Sequence, residues 1–329
     1  MWAKKYIIFI LLIILCNNTI AETNTASSNI KIKEKISEDT LKFWEKTLKY
    51  GTSAQKRSVL YTIKGERVTK AASIIIKYLP QEKNLTVKKE MISALVVLSN
   101  QSAAPYLIEL LKKTNNSEEV IEFALSSIAM IKYKKAGKYI LKYLDFPNIQ
   151  IRETALRALG EIEYKEAVPI IIKKFEEEEQ ERVRTEMILA LAKIKSEKAQ
   201  KFLISIFTNS DEKLLNREFA ATGLGYIKNK LSYDILTRYI EKVDSKIKIR
   251  IVEALGNLED KSAINILIEC LKDDDKSIRY YAARALGRLK AKEAIDILEY
   301  KKDYDLEPKV RKAAEDALKQ IRGDEGEGN

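Results

Sequence analysis

The chain has 329 residues, with 59 Lys and Arg against 48 Asp and Glu, a net charge of +11 and no histidine. The missing imidazole excludes serine–histidine and cysteine–histidine nucleophiles, imidazole acid–base catalysis and every histidine-ligated metal site. At the N-terminus, Lys4 and Lys5 precede an unbroken apolar run over residues 6–15, and Thr19, Ile20 and Ala21 offer small residues where a signal peptidase reads. Residues 1–21 therefore read as a cleaved secretory signal, too short in its apolar core for the roughly 20 residues that a bilayer span needs. A second reading takes Cys16, after Leu12, Ile13, Ile14 and Leu15, as the acylated cysteine of a lipoprotein, although a lipobox has a small residue where Leu15 stands. Either way the protein is exported, to the periplasm or the cell envelope. Residues 22–36, rich in Thr, Ser and Asn, form a flexible leader. Helical order is predicted to start at Ser37, an N-cap followed by Glu38 and Asp39, with Leu41, Trp44 and Leu48 on one face.

From there the chain repeats itself. The segment over residues 151–162 reads Ile-Arg-Glu-Thr-Ala-Leu-Arg-Ala-Leu-Gly-Glu-Ile, apolar at helical spacing. Taking Gly160 as a marker, it recurs at Lys64, Val96, Ala129, Ala192, Gly225, Gly256, Gly287 and Lys319, a period of 31–33 residues. The residue before each marker is always aliphatic, as in Ile63, Leu159 and Leu318, and the one before that is small, as in Ala158, Gly223 and Ala285. Seven residues on stands Ala or Ser, and eleven on Ile or Leu, so each period holds two apolar helix faces. Asn115-Asn116, Pro147-Asn148 and Asn209-Ser210-Asp211 supply turns between them. The prediction is an all-α fold, an α-solenoid of about nine helical hairpins over residues 37–322, on the order of 80 Å long, with residues 323–329 as a disordered tail.

The Arg-x-x-Ala-x-x-Ala-Leu-Gly pattern resembles that of HEAT-repeat proteins and is most similar to the short-period subgroup of the phycobilisome lyases. The resemblance covers roughly residues 37–321 and implies the fold rather than an activity. The subgroup's arginine stands at Arg152, Arg184, Arg217, Arg279 and Arg311; Lys56, Lys88 and Lys248 replace it, and Ile121 takes its place in the third copy. This column reads as structural, bridging to acidic turn residues of the adjacent hairpin such as Asp211, Asp244 or Asp275.

Carboxylates are the remaining chemical groups. The acidic run at residues 176–179 with Glu181 lacks the alternating oxygen ligands and glycine of a calcium loop and reads as a helix end. Asp273, Asp274 and Asp275 precede a second helix, with Asp275 its N-cap. Once Cys16 is removed, Cys270 is the one thiol, packed in an outer helix. No glycine-rich phosphate loop or GxSxG elbow is present, so the expectation is a protein that is not an enzyme, with no cofactor, no metal and no small-molecule substrate.

The inner, concave surface is read from positions one, five and nine after the arginine column. Lys89, Arg157, Lys193, Arg284, Arg288 and Lys312 are balanced there by Glu122, Glu153, Glu161, Glu218, Glu253 and Asp316. A groove for nucleic acid has a cationic excess, so nucleic acid is not the expected partner. Val97, Met130, Leu189, Tyr226, Ile249 and Tyr280 run among these charges, a composition suited to a protein partner of unknown identity. The residues expected to anchor it are Leu189, Tyr226, Ile249, Tyr280 and Arg284. The basic surplus falls on outer helices and turns, at Lys132, Lys134, Lys135, Lys138, Lys173, Lys174, Lys228 and Lys230, leaving a membrane-associated envelope protein with a basic convex face as an alternative. A lyase-like or chaperone-like helper of a chromoprotein, by resemblance alone, and a nucleic-acid-binding solenoid are the others.

Overall fold

The computed structural model describes residues 36–113 and 116–323; the expected signal segment with Cys16, all but the last residue of the leader, Asn115 of the expected turn, and residues 324–329 of the tail lie outside them. The described residues form α-helices and short 3-10 turns, without a strand. Among the described residues eighteen α-helices follow one another, two to each of the nine repeats that the sequence columns predict. The first four are α1 (Glu38–Tyr50) with α2 (Ser53–Glu66), α3 (Ala72–Tyr78) with α4 (Leu85–Val97), α5 (Ala104–Lys112) with α6 (Glu118–Ile131), and α7 (Gly137–Ile140) with α8 (Ile149–Glu161). Then come α9 (Val168–Glu177) with α10 (Glu181–Ile194), α11 (Glu197–Thr208) with α12 (Leu214–Tyr226), and α13 (Lys230–Tyr239) with α14 (Ser245–Leu258). The last two are α15 (Ile264–Cys270) with α16 (Lys276–Arg288) and α17 (Ile295–Tyr304) with α18 (Pro308–Arg322).

Local chemistry sets the boundaries. Ser37 caps α1 by accepting from Thr40 N, and Thr52 forms a capping box with Gln55 at α2. Asn148, Ser196, Asp244 and Asp275 cap later helices in the same way. Second helices end differently. Seven non-glycine residues sit in the left-handed region: Arg67, Ser99, Lys132, Glu163, Lys195, Glu259 and Lys290. In five of them two backbone bonds reverse the chain, as where Glu163 N donates to Gly160 O and Tyr164 N to Leu159 O, each at 3.0 Å. The acceptor in the second bond is the always-aliphatic column, so one residue fills the core with its side chain and ends the helix with its carbonyl.

The chain divides into two compact units, Met1–Val87 and Lys88–Asn329. In the first, Trp44, Leu48, Leu60, Ile63, Ile75 and Leu79 are buried, and Lys77 and the Tyr78 hydroxyl both donate to Glu45. In the second, each second helix packs on the next, from α6 through α8, α10, α12, α14 and α16 to α18, while the first helices cover them from one side. Ile128, Leu159, Leu191, Leu224, Leu255 and Leu286 are fully buried between them, each worth about 1.5–3 kcal/mol of apolar transfer. Small residues set the spacing. A Cβ on Gly225 would lie 2.7 Å from Ala254 Cα, and one on Gly256 2.7 Å from Ala285 Cβ. In the column of buried alanines Ser232 stands once, and its hydroxyl accepts from Gln200, which also exchanges two amide bonds with Asn229.

Candidate binding surface on the second helices

The arginine column clamps turns. Arg152 Nη1 donates to Phe146 O and Pro147 O, Arg279 Nη1 to Asp273 O and Asp274 O, and Arg311 Nη1 to Asp305 O and Leu306 O. These are carbonyls left open as the chain leaves each first helix. The remaining donors reach the next hairpin: Arg152 to Glu178, Arg184 to Glu212 and Arg279 to Asp305. Lys56 meets Glu82, and Lys248 meets Asp273, in the same way. The bridging expected of the column is therefore present, but Asp211, Asp244 and Asp275 do not serve it. Asp244 and Asp275 are consumed as N-caps, and Asp211 is exposed. The acceptor stands one or two residues before the next N-cap. For Arg217 the residue at that place in the sequence is Lys242, and among the described residues its guanidinium keeps only the carbonyl bond, to Phe207 O at 3.2 Å. Of the acidic run at 176–179, Glu178 is the Arg152 partner and not merely a solvated helix end.

Beside this ladder lies the exposed side of the second-helix layer. Most of its charges pair across hairpins: Glu153 with Arg182 and Arg157 with Glu186 at 2.9 Å each, Glu161 with Lys193, and Glu218 with Arg250 at 3.7 Å, while Glu253 meets Arg250 at 3.1 Å within α14. Glu153 is only 2% exposed, and one carboxylate oxygen has no hydrogen-bond partner. Burial pushes its carboxyl above the usual glutamate range, against the pull of Arg182.

The pattern changes over α12, α14 and α16. Tyr280 meets Tyr281 edge to face, with ring centres 5.1 Å apart, and the Arg284 guanidinium lies 5.6 Å from the Tyr280 ring centre. Arg288 donates to Asn257 Oδ1. Burial raises the hydroxyls of Tyr226 and Tyr281, and Glu253 adds to both. Arg288 is held below the usual arginine value by burial and by Arg284. Arg284 and Arg288 form no ion pair among the described residues. Of the expected anchors, Tyr280 and Arg284 lie against each other on α16, while Tyr226 on α12 neighbours Arg288 and Glu253. Leu189 on α10 and Ile249 on α14 are half-buried. Tyr281, Arg250 and the Arg284–Arg288 pairing were not among the expected anchors. Arg288 and Glu253 were visible as inner-surface charges, but Tyr281 and Arg250 lie one residue outside the three positions used to read that surface.

Of the eight outer lysines, Lys132, Lys134, Lys174, Lys228 and Lys230 each meet a carboxylate, so this surplus is largely answered within the protein. Cys270 is buried, and burial pushes its thiol up to about 12, leaving it protonated and packed. Among the described residues, no cluster of acidic residues or cysteine is placed to hold a metal ion, and no helix is long and apolar enough to cross a membrane.

The family profile described as HEAT repeats matches residues 137–221, 209–280 and 233–319, together more than half of the chain. The chain belongs to the HEAT-repeat family. As a HEAT-repeat solenoid it is similar to the complex of CpcE and CpcF of phycocyanin lyase from Nostoc sp. PCC7120, at 18% identity and a TM-score of 0.43, over 89% of this chain and 97% of that one. It is also similar to human deoxyhypusine hydroxylase in complex with glycerol, at 18% identity and a TM-score of 0.35, over 79% of this chain and 99% of that one. These likenesses concern the HEAT-repeat fold. No curated protein matches the sequence.

Proposed function

We propose that this HEAT-repeat protein is an exported scaffold or adaptor, without catalysis of its own, that holds a protein partner on the concave face formed by its second helices. The observation that carries this reading is the patch on α12, α14 and α16. Half-buried tyrosines and uncompensated arginines gather there, on a layer whose other charges are largely cross-paired. Aromatic side chains and arginine supply most of the energy in protein interfaces when they sit in partly desolvated surroundings. Catalysis has little support in the residues: there is no histidine, and the described thiol is protonated and packed. Export rests on residues 1–21 alone.

The test is photo-crosslinking in the native cell, with a crosslinking residue at Tyr280 and a control at Lys138 on a first helix. One discrete protein captured from position 280 and absent from position 138 supports the adaptor. Adducts only from position 138, or mainly to lipid, would move the function to the outer face.

A further inference from the structure

Arg284 and Arg288 stand one turn apart on α16, about 5–6 Å along the helix, and neither has a carboxylate partner. Glu253, whose charge reaches Arg288, is already held by Arg250. The Tyr280 ring beside Arg284, itself packed on Tyr281, limits the positions open to that guanidinium. The hydroxyls of Tyr226, Tyr280 and Tyr281 donate to no group among the described residues. The patch is thus rich in donors and poor in free acceptors.

Resting on the protein-binding reading above, the geometry points to an acidic segment of the partner protein as the occupant. Asp or Glu carboxylates of that segment are received by Arg284 and Arg288, and flanking apolar side chains lie one against Tyr280 and another against Tyr226. The planar fork of arginine matches a carboxylate in two parallel hydrogen bonds, and preordering by an aromatic ring lowers the cost of making them. A phosphate polyanion fits less well. It asks for a stripe of free cations, whereas this face offers two together, Arg250 being held by Glu218 and Glu253 and Lys312 by Asp316.

The test is a phage-displayed library of random dodecapeptides selected on the full chain. Recovered peptides are then titrated by fluorescence anisotropy against three variants: Arg284→Gln/Arg288→Gln, Arg284→Lys/Arg288→Lys and Tyr226→Ala/Tyr280→Ala. Circular dichroism checks that each is folded. The expected result is peptides rich in Asp and Glu, weakened about tenfold or more by the glutamine pair and by a smaller factor by the lysine pair, which keeps the charge but loses the fork. Peptides without acidic enrichment, or bound equally by the glutamine variant, would overturn the acidic segment. If those peptides still lose affinity with the tyrosine variant, the protein-binding reading stands; if they do not, it falls too. Duplex DNA or phosphatidylglycerol vesicles that bind more tightly than any peptide, and lose binding with the glutamine pair, would reassign the arginines to phosphate and overturn the inference.

Discussion

At the scale of single residues, two buried carboxylates differ in what surrounds them. Asp305 is held below the usual aspartate range although burial pushes it up, because Arg279, the Glu307 N–H and Lys301 together outweigh that burial. The unfolded chain therefore binds the proton more readily. The stability that Asp305 contributes is complete above about pH 4 and is lost as pH falls through its lower folded value. Arg279→Ala should cost about 2–3 kcal/mol at pH 7, Lys301 keeping part of the pairing, and the cost should shrink toward acid in urea melts taken across pH. Glu153 has the opposite sign. Raised by burial, it favours folding only while protonated, so its contribution is present below about pH 4 and is lost as pH rises through its folded value. Glu153→Gln should raise stability by about 1 kcal/mol at pH 7 and leave it unchanged at pH 3.5; a loss at pH 7 would show that the Arg182 pair outweighs burial. The arginine column was legible in the sequence, but its acceptors were not. An N-cap aspartate such as Asp275 and an acceptor such as Asp273 differ by two positions in a run of acids, and only the backbone path separates their roles.

At the scale of elements, the marker glycines follow from close helix approach. An alanine at Gly225 would press on the Ala254 backbone, with Cα at 2.7 Å and the carbonyl oxygen at 3.1 Å, and neither can rotate away. Gly225→Ala should cost about 1–3 kcal/mol, while Gly65→Ala, with nothing within 4 Å on the exposed side of α2, should gain up to about 1 kcal/mol in the same urea series. Equal effects would mean that the α12–α14 spacing yields. The small column beside the aliphatic one made this contact readable. The left-handed ends of the second helices were not readable. Glycine and asparagine mark that conformation in a sequence, and here Arg67, Glu163 and Lys290 adopt it, held by the reversing backbone bonds and the turn that follows.

At the scale of the whole molecule, nine hairpins were legible because a steady period shows through even the copies that lost their arginine. The division at Val87 and Lys88 was not legible, since the Lys56 and Lys88 column runs across it unbroken. Burial within neighbouring hairpins makes stability a local sum. Leu224→Asp, at a fully buried position of α12, should abolish hydrogen-exchange protection in residues 197–258 and leave residues 36–87 protected. Equal loss throughout would contradict that. The proposed patch was half-visible: helical register placed Tyr226, Tyr280 and Arg284 on second helices, but which charges remain unanswered depends on pairs with neighbouring residues, such as Arg250 with Glu218 and Glu253, that register alone does not give. The most direct measurement is the affinity of the protein captured at position 280 for the Tyr226→Ala/Tyr280→Ala variant, read beside its melting temperature. Binding weakened about tenfold or more at a nearly unchanged melting temperature is the predicted result. Unchanged affinity would remove this patch from the interface.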